Sequence, residues 1–127
     1  MRNDRAAVQP FIDEIVTQGE WSLIYFDKHY SHAVVKRPKN GDFRVQDDFG
    51  GTVDVGQPVP ALLDQAQAIM DILPDRVLYT RLDAVVRDGQ LMVMEVELIE
   101  PFLFLDRAAD AAQHFAAAIQ RYIAMDE

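Results

Sequence analysis

Apolar and polar residues alternate along two stretches in the second half of the chain, and this alternation predicts a β-hairpin. Leu82, Ala84 and Val86 form one apolar set, and the other consists of Met92, Met94, Val96 and Leu98. Successive side chains of a strand point to opposite faces, so both sets reach one core only if the loop has an odd number of residues. We therefore predict a three-residue loop, Arg87-Asp88-Gly89, with Gly89 left-handed in a bulged turn.

The same register predicts an acidic cluster on the other face of the hairpin. Arg81 and Asp83 lie there beside Glu95 and Glu97, whereas a two-residue loop would separate Asp83 from the glutamates. Because like charges at this distance repel, we expect a cation between the three carboxylates. Oxygen ligands suit a hard ion such as magnesium or manganese. Two structural alternatives stay open: a solvated acidic face, and an ion pair between Arg81 and Glu95.

The remaining patterns predict an α+β fold, with an antiparallel β-sheet backed by two α-helices and a polar, ligand-facing opposite side. Strands are expected at residues 21–26, 31–36 and 43–46. Helical spacing over residues 62–73 predicts one helix, opened by Pro58 and Pro60 and ended by Pro74. A second helix is expected near the C-terminus, with Asp106 as its cap.

Length and composition narrow the class of protein. A chain of 127 residues is expected to form a single domain, residues 1–127. Its formal net charge of −9 argues against nucleic acid and anionic membranes as partners. The absence of cysteine excludes disulfides, thiolate metal sites and thiol nucleophiles. Neither a signal peptide nor a membrane-spanning run is evident, so a soluble, cytoplasmic protein is the default expectation.

A basic segment rich in glycine is the second candidate for chemistry. Four cations fall within residues 36–44, and glycines follow at positions 41, 50 and 51. Phosphate oxygens need fixed cations and backbone N–H groups that can approach closely, which glycine permits. A solvated basic loop explains the composition equally well. The three histidines are too dispersed for a zinc site, and His29 and His32 are expected at the surface.

Several segments follow one another in an order that resembles the C-terminal half of an ATP-grasp domain, in the glutathione-synthetase-like group that includes the cycloserine-biosynthesis ligases. The resemblance covers nearly the whole chain. The segments that carry it are Val8–Ile12 with Glu14-Ile15, Gly19–Ser22, Ser31–Val34, Lys36–Pro38, Gly41–Gln46 with Gly50-Gly51, Arg81–Asp83, and Glu95–Pro101.

The resemblance implies a role for individual residues. Asp83, Glu95 and Glu97 would ligate two Mg²⁺ ions, with Mn²⁺ as a substitute; asparagine is frequent at the third of these positions in the superfamily. Arg44 would be the catalytic residue that contacts the transferred phosphate or the acyl phosphate, with Lys36 nearby. The residues implied to bind the nucleoside of ATP are Gln9, Pro10, Phe11 and Ile12 at adenine and Glu20 at the ribose, and Glu100-Pro101 would begin the loop that positions an acceptor.

The implied function is the Mg-ATP-binding half of a ligase that activates a carboxylate as an acyl phosphate for attack by an amine or thiol. A complete ATP-grasp enzyme has a preceding subdomain that supplies a phosphate-binding lysine and one wall of the adenine cleft. No segment of this chain matches it, so turnover is expected only if a missing N-terminal half or a partner chain completes the module. The expected partners are a nucleotide, a small-molecule carboxylate, and either a complementary ATP-grasp chain or a second copy in a homodimer. The alternative is a non-catalytic remnant that dimerises or docks on a partner.

Overall fold

Five antiparallel strands form one sheet in the computed structural model, which describes residues 6–40 and 50–126. The strands are β1 Glu20–Phe26, β2 His29–Arg37, β3 Thr52–Gly56, β4 Tyr79–Arg87 and β5 Gln90–Glu97, and their order across the sheet is β3-β2-β1-β4-β5. The helices are α1 Glu14–Thr17, α2 Pro60–Asp71 and α3 Ala111–Ala124, with a 3₁₀ turn at Leu105–Arg107. The strand expected at residues 43–46, and with it Arg44, lies outside the described residues.

The turn between β4 and β5 has two residues, so the prediction of a three-residue loop is wrong. Arg87 pairs directly with Gln90. Asp88 and Gly89 both have positive φ angles, 52° and 75°, as a tight hairpin turn of the I′ type requires. This turn matches the right-handed twist of the flanking strands and is typical of an Asp-Gly pair.

A β-bulge in β5 restores the predicted pairing of the acidic residues. Asp83 pairs with Glu95 and Ala84 pairs with Val93, which leaves Met94 as an extra residue in β5. The odd residue that the hydrophobic pattern demanded is therefore in the strand instead of the loop. One consequence is that Met92 pairs with Val85 and lies on the opposite face from Leu82, so its predicted place in the apolar set is wrong.

The two faces of the sheet carry two separate apolar cores. On one face, Leu23, Tyr25 and Leu82 pack against Ala66 and Met70 of α2. On the other face, apolar side chains of β1 and β2 pack against α3 and the segment before it: Ile24, Phe26, Val34, Phe104, Phe115 and Ala118. The α+β class with a sheet backed by two helices is thus confirmed. The prediction of a polar face opposite both helices is wrong, because the helices cover opposite faces of the sheet and the polar residues share a face with α3.

The helices follow from local sequence. Pro60 occupies the first turn of α2, where a missing N–H costs nothing, and Leu62, Ala66 and Met70 recur every four residues on its buried side. The prediction that Asp106 caps the last helix is wrong, because the chain makes the 3₁₀ turn there and α3 begins only after Asp110. Strand β3 was not predicted at all. Within the described part of the chain, no helix is both long and apolar enough to cross a membrane.

Candidate functional site

Charged side chains cluster on the α3 face of the sheet, beyond the part that α3 covers. Alternation along β1 places Glu20 and Ser22 on the same face as Ile24 and Phe26, but at the other end of the strand. Cross-strand pairing adds residues from β2, β4 and β5. We call the set Glu20, Ser22, Lys36, Arg81, Asp83, Glu95 and Glu97 the polar cluster.

Asp83 is the centre of the polar cluster and is only 2% exposed. The guanidinium of Arg81 donates to both of its carboxylate oxygens, from Nε at 3.1 and 3.2 Å and from Nη2 at 3.0 Å. The hydroxyl of Ser22 donates to Oδ1 at 2.5 Å, and the ammonium of Lys36 lies 3.7 Å from the same oxygen. A buried carboxylate needs such partners, because an unpaired charge away from water is strongly unfavourable.

Lys36 links Asp83 to Glu20 across the central strand. Its Nζ lies 2.8 Å from Oε1 of Glu20, and Glu20 and Lys36 are directly paired residues of β1 and β2. Glu20 is itself positioned by Gly19, whose φ of 89° and close approach to the carbonyl oxygen of Lys36 leave no room for a Cβ atom. The glycine therefore allows the chain to enter β1 tightly against β2.

Arg81 connects the buried part of the polar cluster to its solvent edge. Its Nη2 lies 2.7 Å from Oε2 of Glu97 and 3.9 Å from Oε2 of Glu95. Burial by itself would lower the pKa of Arg81, but the hydrogen bonds to Asp83 and the charges of Asp83, Glu97 and Glu95 outweigh it, and the pKa is raised. Arg81 is thus held in its charged form between three carboxylates.

The prediction that Asp83, Glu95 and Glu97 share one face is confirmed by the strand register. The cation expected between them is Arg81 in this structure, as the ion-pair alternative proposed. Among residues 6–40 and 50–126, no group of three or more His, Cys, Asp or Glu side chains is placed to hold a metal ion. With Arg81 in this position the three carboxylates do not fit a shared metal site, and their ligation of Mg²⁺ stays a prediction.

The segment assigned to adenine precedes α1 and lies largely at the surface. Phe11 is 60% exposed, and Gln9 and Pro10 are also exposed. Glu14 in α1 accepts two hydrogen bonds from the guanidinium of Arg87 at the end of β4, at 2.5 and 2.8 Å. This contact lowers the pKa of Glu14 and attaches α1 to the hairpin. Adenine binding by residues 9–12 remains a prediction.

His32 is buried, so the prediction of a surface histidine is wrong. It is 5% exposed and lies on the same face of β2 as Val34 and Lys36. Its Nε2 is 2.9 Å from the carbonyl oxygen of Leu103 and 3.0 Å from that of Phe104, so this nitrogen carries a proton and donates. Its Nδ1 is 2.8 Å from the hydroxyl of Ser31. Alternation with Val34 was the signal that could have predicted its burial.

Comparison with known proteins finds relatives that the chain matches over part of their length. No protein-family model matches the chain. It is 34% identical over 125 residues to the cycloserine biosynthesis protein DcsG of Streptomyces lavendulae, with 88% of this chain and 40% of the relative covered. The crystal structure of D-cycloserine synthetase DcsG matches with a TM-score of 0.70 and 30% identity, covering 90% of this chain and 41% of that chain.

A more distant likeness concerns the fold alone. The structure of D-alanine–D-alanine ligase from Bacillus anthracis complexed with ATP matches with a TM-score of 0.55 and 23% identity over 84% of this chain and 37% of that chain. The chain spans about 40% of the length of the relatives it matches. These matches confirm the resemblance stated from the sequence: in sequence and in fold, the chain is similar to part of DcsG, an ATP-grasp ligase.

Proposed function

We propose that this chain is the Mg-ATP-binding half of an ATP-grasp ligase that activates a carboxylate as an acyl phosphate for attack by an amine or thiol. The observation that carries the proposal is the likeness to DcsG, with 34% identity over nearly the whole chain. That the more distant ligase was solved with ATP makes this nucleotide the ligand to test. The compound that is activated is a small-molecule carboxylate, and its identity depends on parts of the ligase outside this match.

The polar cluster is the proposed place of the phosphates. Lys36 and Arg81 present cationic N–H donors on one sheet face, and a guanidinium suits the paired oxygens of a phosphate. Cations fixed in a site that excludes water stabilise the charge that develops on a transferred phosphoryl group. Arg44, outside the described residues, is proposed to contact the transferred phosphoryl group or the acyl phosphate.

The nucleoside is proposed to extend from the polar cluster toward the segment before α1. Glu20 would accept a hydrogen bond from a ribose hydroxyl, since a carboxylate can accept from more than one donor. The adenine ring would lie against Gln9, Pro10, Phe11 and Ile12. Mg²⁺ would supply charge neutralisation at the phosphates, and Arg81 lies between Asp83 and Glu97.

The segment after β5 is proposed to position the acceptor. It begins at Glu100-Pro101, and two contacts hold it to the sheet. The backbone N–H of Glu100 donates to the Tyr79 hydroxyl at 3.4 Å, and His32 donates to the carbonyl oxygens of Leu103 and Phe104. Glu100 and Phe104 both have positive φ angles, 54° and 48°, which non-glycine residues rarely adopt. A strained segment fixed at two points fits a positioning role.

A complementary ATP-grasp subdomain is proposed to complete the cleft, because the relatives are about two and a half times as long as the matched region. One half of a cleft leaves a bound nucleotide largely in water, where polar contacts are weak. Ligation is therefore proposed only for the completed module.

Calorimetry with Mg-ATP tests the proposal. The wild-type chain is compared with Glu95→Gln/Glu97→Gln, and with Asp64→Asn/Asp71→Asn as a control that loses the same two charges on α2, at the opposite face of the sheet. We expect the control to bind like wild type and the glutamate variant to bind about tenfold more weakly or worse. Equal heats for all three proteins, or no heat for any, would remove the proposed site.

A second candidate function is a non-catalytic docking module. It is favoured by large apolar side chains at the surface, among them Ile72 at 82%, Ile99 at 79% and Phe102 at 65% exposure. Light scattering distinguishes the two functions. A stable oligomer without any Mg-ATP heat supports the docking module, and a monomer that binds Mg-ATP contradicts it.

A further inference from the structure

A cavity of about 250 Å³ lies between α3 and the turn that joins β1 to β2. We propose that this cavity, which we call the turn pocket, binds a small organic carboxylate with a flat apolar body, such as an aromatic acid. Its lining residues are Phe26, His29, Tyr30, His114, Ala117 and Arg121. None of them belongs to the polar cluster, so the turn pocket is separate from the site proposed for the nucleotide.

The turn pocket lies at the opposite end of β1 from the polar cluster. Glu20 is the first residue of β1 and Phe26 the last, so about 20 Å of strand separates the two sites, at roughly 3.3 Å per residue. A ligand in the turn pocket therefore makes its own set of contacts, with the β1–β2 turn and with α3.

One face of α3 forms the first wall of the turn pocket. His114, Ala117 and Arg121 recur at intervals of three and four residues, which places them on the same side of the helix. Ala117 is the small residue between two long ones, and this leaves room between them. Its neighbour Ala116 is exposed and lies outside the lining. The opening of the pocket thus depends on one alanine.

The tight β1–β2 turn forms the second wall. Asp27 and Lys28 have positive φ angles of 51° and 60°, as a two-residue turn of the I′ type requires. His29 pairs directly with Phe26, so both side chains lie on the α3 face of the sheet. Lys28 instead donates to the carbonyl oxygen of Leu73, beyond the end of α2, at 3.0 Å. The turn therefore directs its histidine, and not its lysine, toward the pocket.

The lining is basic although the chain is acidic. Three of the six lining residues are His29, His114 and Arg121 and none is acidic, whereas the formal net charge of the chain is −9. Asp110 lies 3.3 Å from Nε2 of His114, and Asp27 accepts from Nε of Arg121 at 2.9 Å. Each of these cations therefore already pairs with a carboxylate at the edge of the pocket.

Arg121 keeps donors for a further carboxylate. Its contact with Asp27 uses Nε, and within the described residues its two terminal nitrogens make no hydrogen bond. The terminal N–H groups of a guanidinium suit the paired oxygens of a carboxylate. His29 and His114 add imidazole N–H donors, which are present in either protonation state. These donors favour an anion as the ligand.

The apolar part of the lining favours an organic acid over an inorganic anion. Phe26 is 2% exposed and stacks on Phe115 at a centroid distance of 4.9 Å, so core packing holds its ring in place. Together with Ala117 it offers apolar surface that a flat ring can cover, and this burial adds to the contact with the carboxylate. The volume is below the roughly 300–1,000 Å³ of pockets for drug-sized ligands, which limits the ligand to about one ring.

The first experiment titrates the wild-type chain with three probes and follows its backbone amide resonances by NMR. Benzoate is the aromatic acid, benzamide has the same shape without the charge, and inorganic phosphate has charge without a ring. We expect benzoate to shift the amides of His29, His114 and Ala117 to saturation, with a dissociation constant of about 1 mM, and to leave Glu20 and Asp83 unmoved. Benzamide and phosphate are expected to bind at least about tenfold more weakly.

Each other outcome of this titration overturns the proposal. The absence of a saturable shift with benzoate removes the site. Equal affinity for benzamide shows that the carboxylate is not recognised, and equal affinity for phosphate shows that the ring is not. Shifts of the same amides with protein concentration alone would show that a second copy fills the pocket. Since neither nucleotide nor metal is present, failure here leaves the proposed function untouched.

The second experiment locates the site with two pairs of variants, each titrated with benzoate. Ala117→Leu fills the pocket and should weaken binding at least about tenfold, whereas Ala116→Leu adds the same atoms outside it and should match wild type. Arg121→Gln should also weaken binding about tenfold. Its control is Arg76→Gln, which likewise removes an arginine that pairs with an aspartate and contacts α3, but outside the pocket.

Equal losses in the two alanine variants, or in the two arginine variants, would overturn the assignment to the turn pocket. Unchanged binding in either Ala117→Leu or Arg121→Gln would do the same. The three-probe titration needs no substitution and stays decisive if a variant does not fold.

Discussion

The two ends of one sheet face both bury side chains, but one end buries apolar residues and the other buries charged ones. At the end covered by α3, Ile24, Phe26 and Val34 are buried by apolar side chains of the helix and of the segment before it. At the other end, the same alternation along the strands places the polar cluster, where Asp83 is as deeply buried as Phe26. The first end is stabilised by removal of apolar surface from water, and the second by mutual neutralisation of charges. Because charged partners can exchange for other charges, the polar end is where we propose that a ligand binds.

The largest effect is expected from a break at the α3-covered end. Phe26→Ala removes a buried ring that stacks on Phe115 at a centroid distance of 4.9 Å. The cavity and the lost transfer energy should lower the free energy of unfolding by about 4 kcal/mol, measured by urea denaturation. The loss should be nearly the same in low and high salt, since no charge is involved. A strongly salt-dependent loss would contradict stabilisation of this end by apolar burial.

The next largest effect is expected at the polar end. Asp83→Ala leaves Arg81 and Lys36 without their buried partner and should lower the free energy of unfolding by about 3 kcal/mol. Asp83→Leu combined with Arg81→Met should recover part of the lost stability, because the second substitution removes the guanidinium that would otherwise stay buried without its carboxylate. The measurement is a double-mutant cycle by denaturation. Strict additivity of the two changes would show that these charges do not stabilise each other.

A medium loss of stability is expected from His32, the polar side chain that lies within the α3-covered end. His32→Ala removes the donor to two carbonyl oxygens, those of Leu103 and Phe104, and should lower the free energy of unfolding by about 2 kcal/mol. Hydrogen exchange should increase in residues 99–105 more than in β1. The control is His29→Ala, an exposed histidine in the same strand, which should change little. Uniform loss of protection across the sheet would contradict a local role for His32.

The smallest effect is expected at the exposed pair of Glu14 and Arg87, outside both ends. The hydrogen bond from Arg87 lowers the pKa of Glu14. The contribution of Glu14 to stability is therefore present above its ordinary pKa and is lost as the pH falls through the lowered value. Glu14→Gln should therefore lower the unfolding midpoint slightly at neutral pH and not at all in acid. A difference that persists in acid would show that the glutamine itself disturbs α1.

The sequence predicted which acidic residues share a face of the hairpin more reliably than it predicted the turn and the bulge that bring them there. The hydrophobic pattern demanded one odd residue in the hairpin, and this was correct. It was assigned to the loop, although Asp88-Gly89 is a typical two-residue turn, and the conflict between the two signals was itself the evidence for a bulge at Met94. Alternation alone did not show where the extra residue lies: Met94 is itself a member of the second apolar set, and Met92, on the turn side of the bulge, therefore lies on the other face.

The contacts within the polar cluster were harder to predict. Arg81 and Asp83 are two apart on one strand, so their contact follows from the strand itself. The contact of Lys36 with Asp83 depends on β2 and β4 lying on either side of β1, and strand order is a property of the whole sheet. His32 was placed at the surface because it is close to a turn, while its position opposite Ile24 buries it.

The extra residue in β5 also bears on how the hairpin tolerates changes of length. The turn already sets the pairing of Gln90 through Val93, and the pairs beyond Met94 continue as an unbroken ladder. A chain without Met94 would keep every one of these pairs. Loss of one residue from the turn would instead shift the register of β5 by one residue and move its side chains to the opposite face of the sheet. Among chains of this architecture, insertions and deletions at the bulge should be compatible with an intact acidic face, and those at the turn should not.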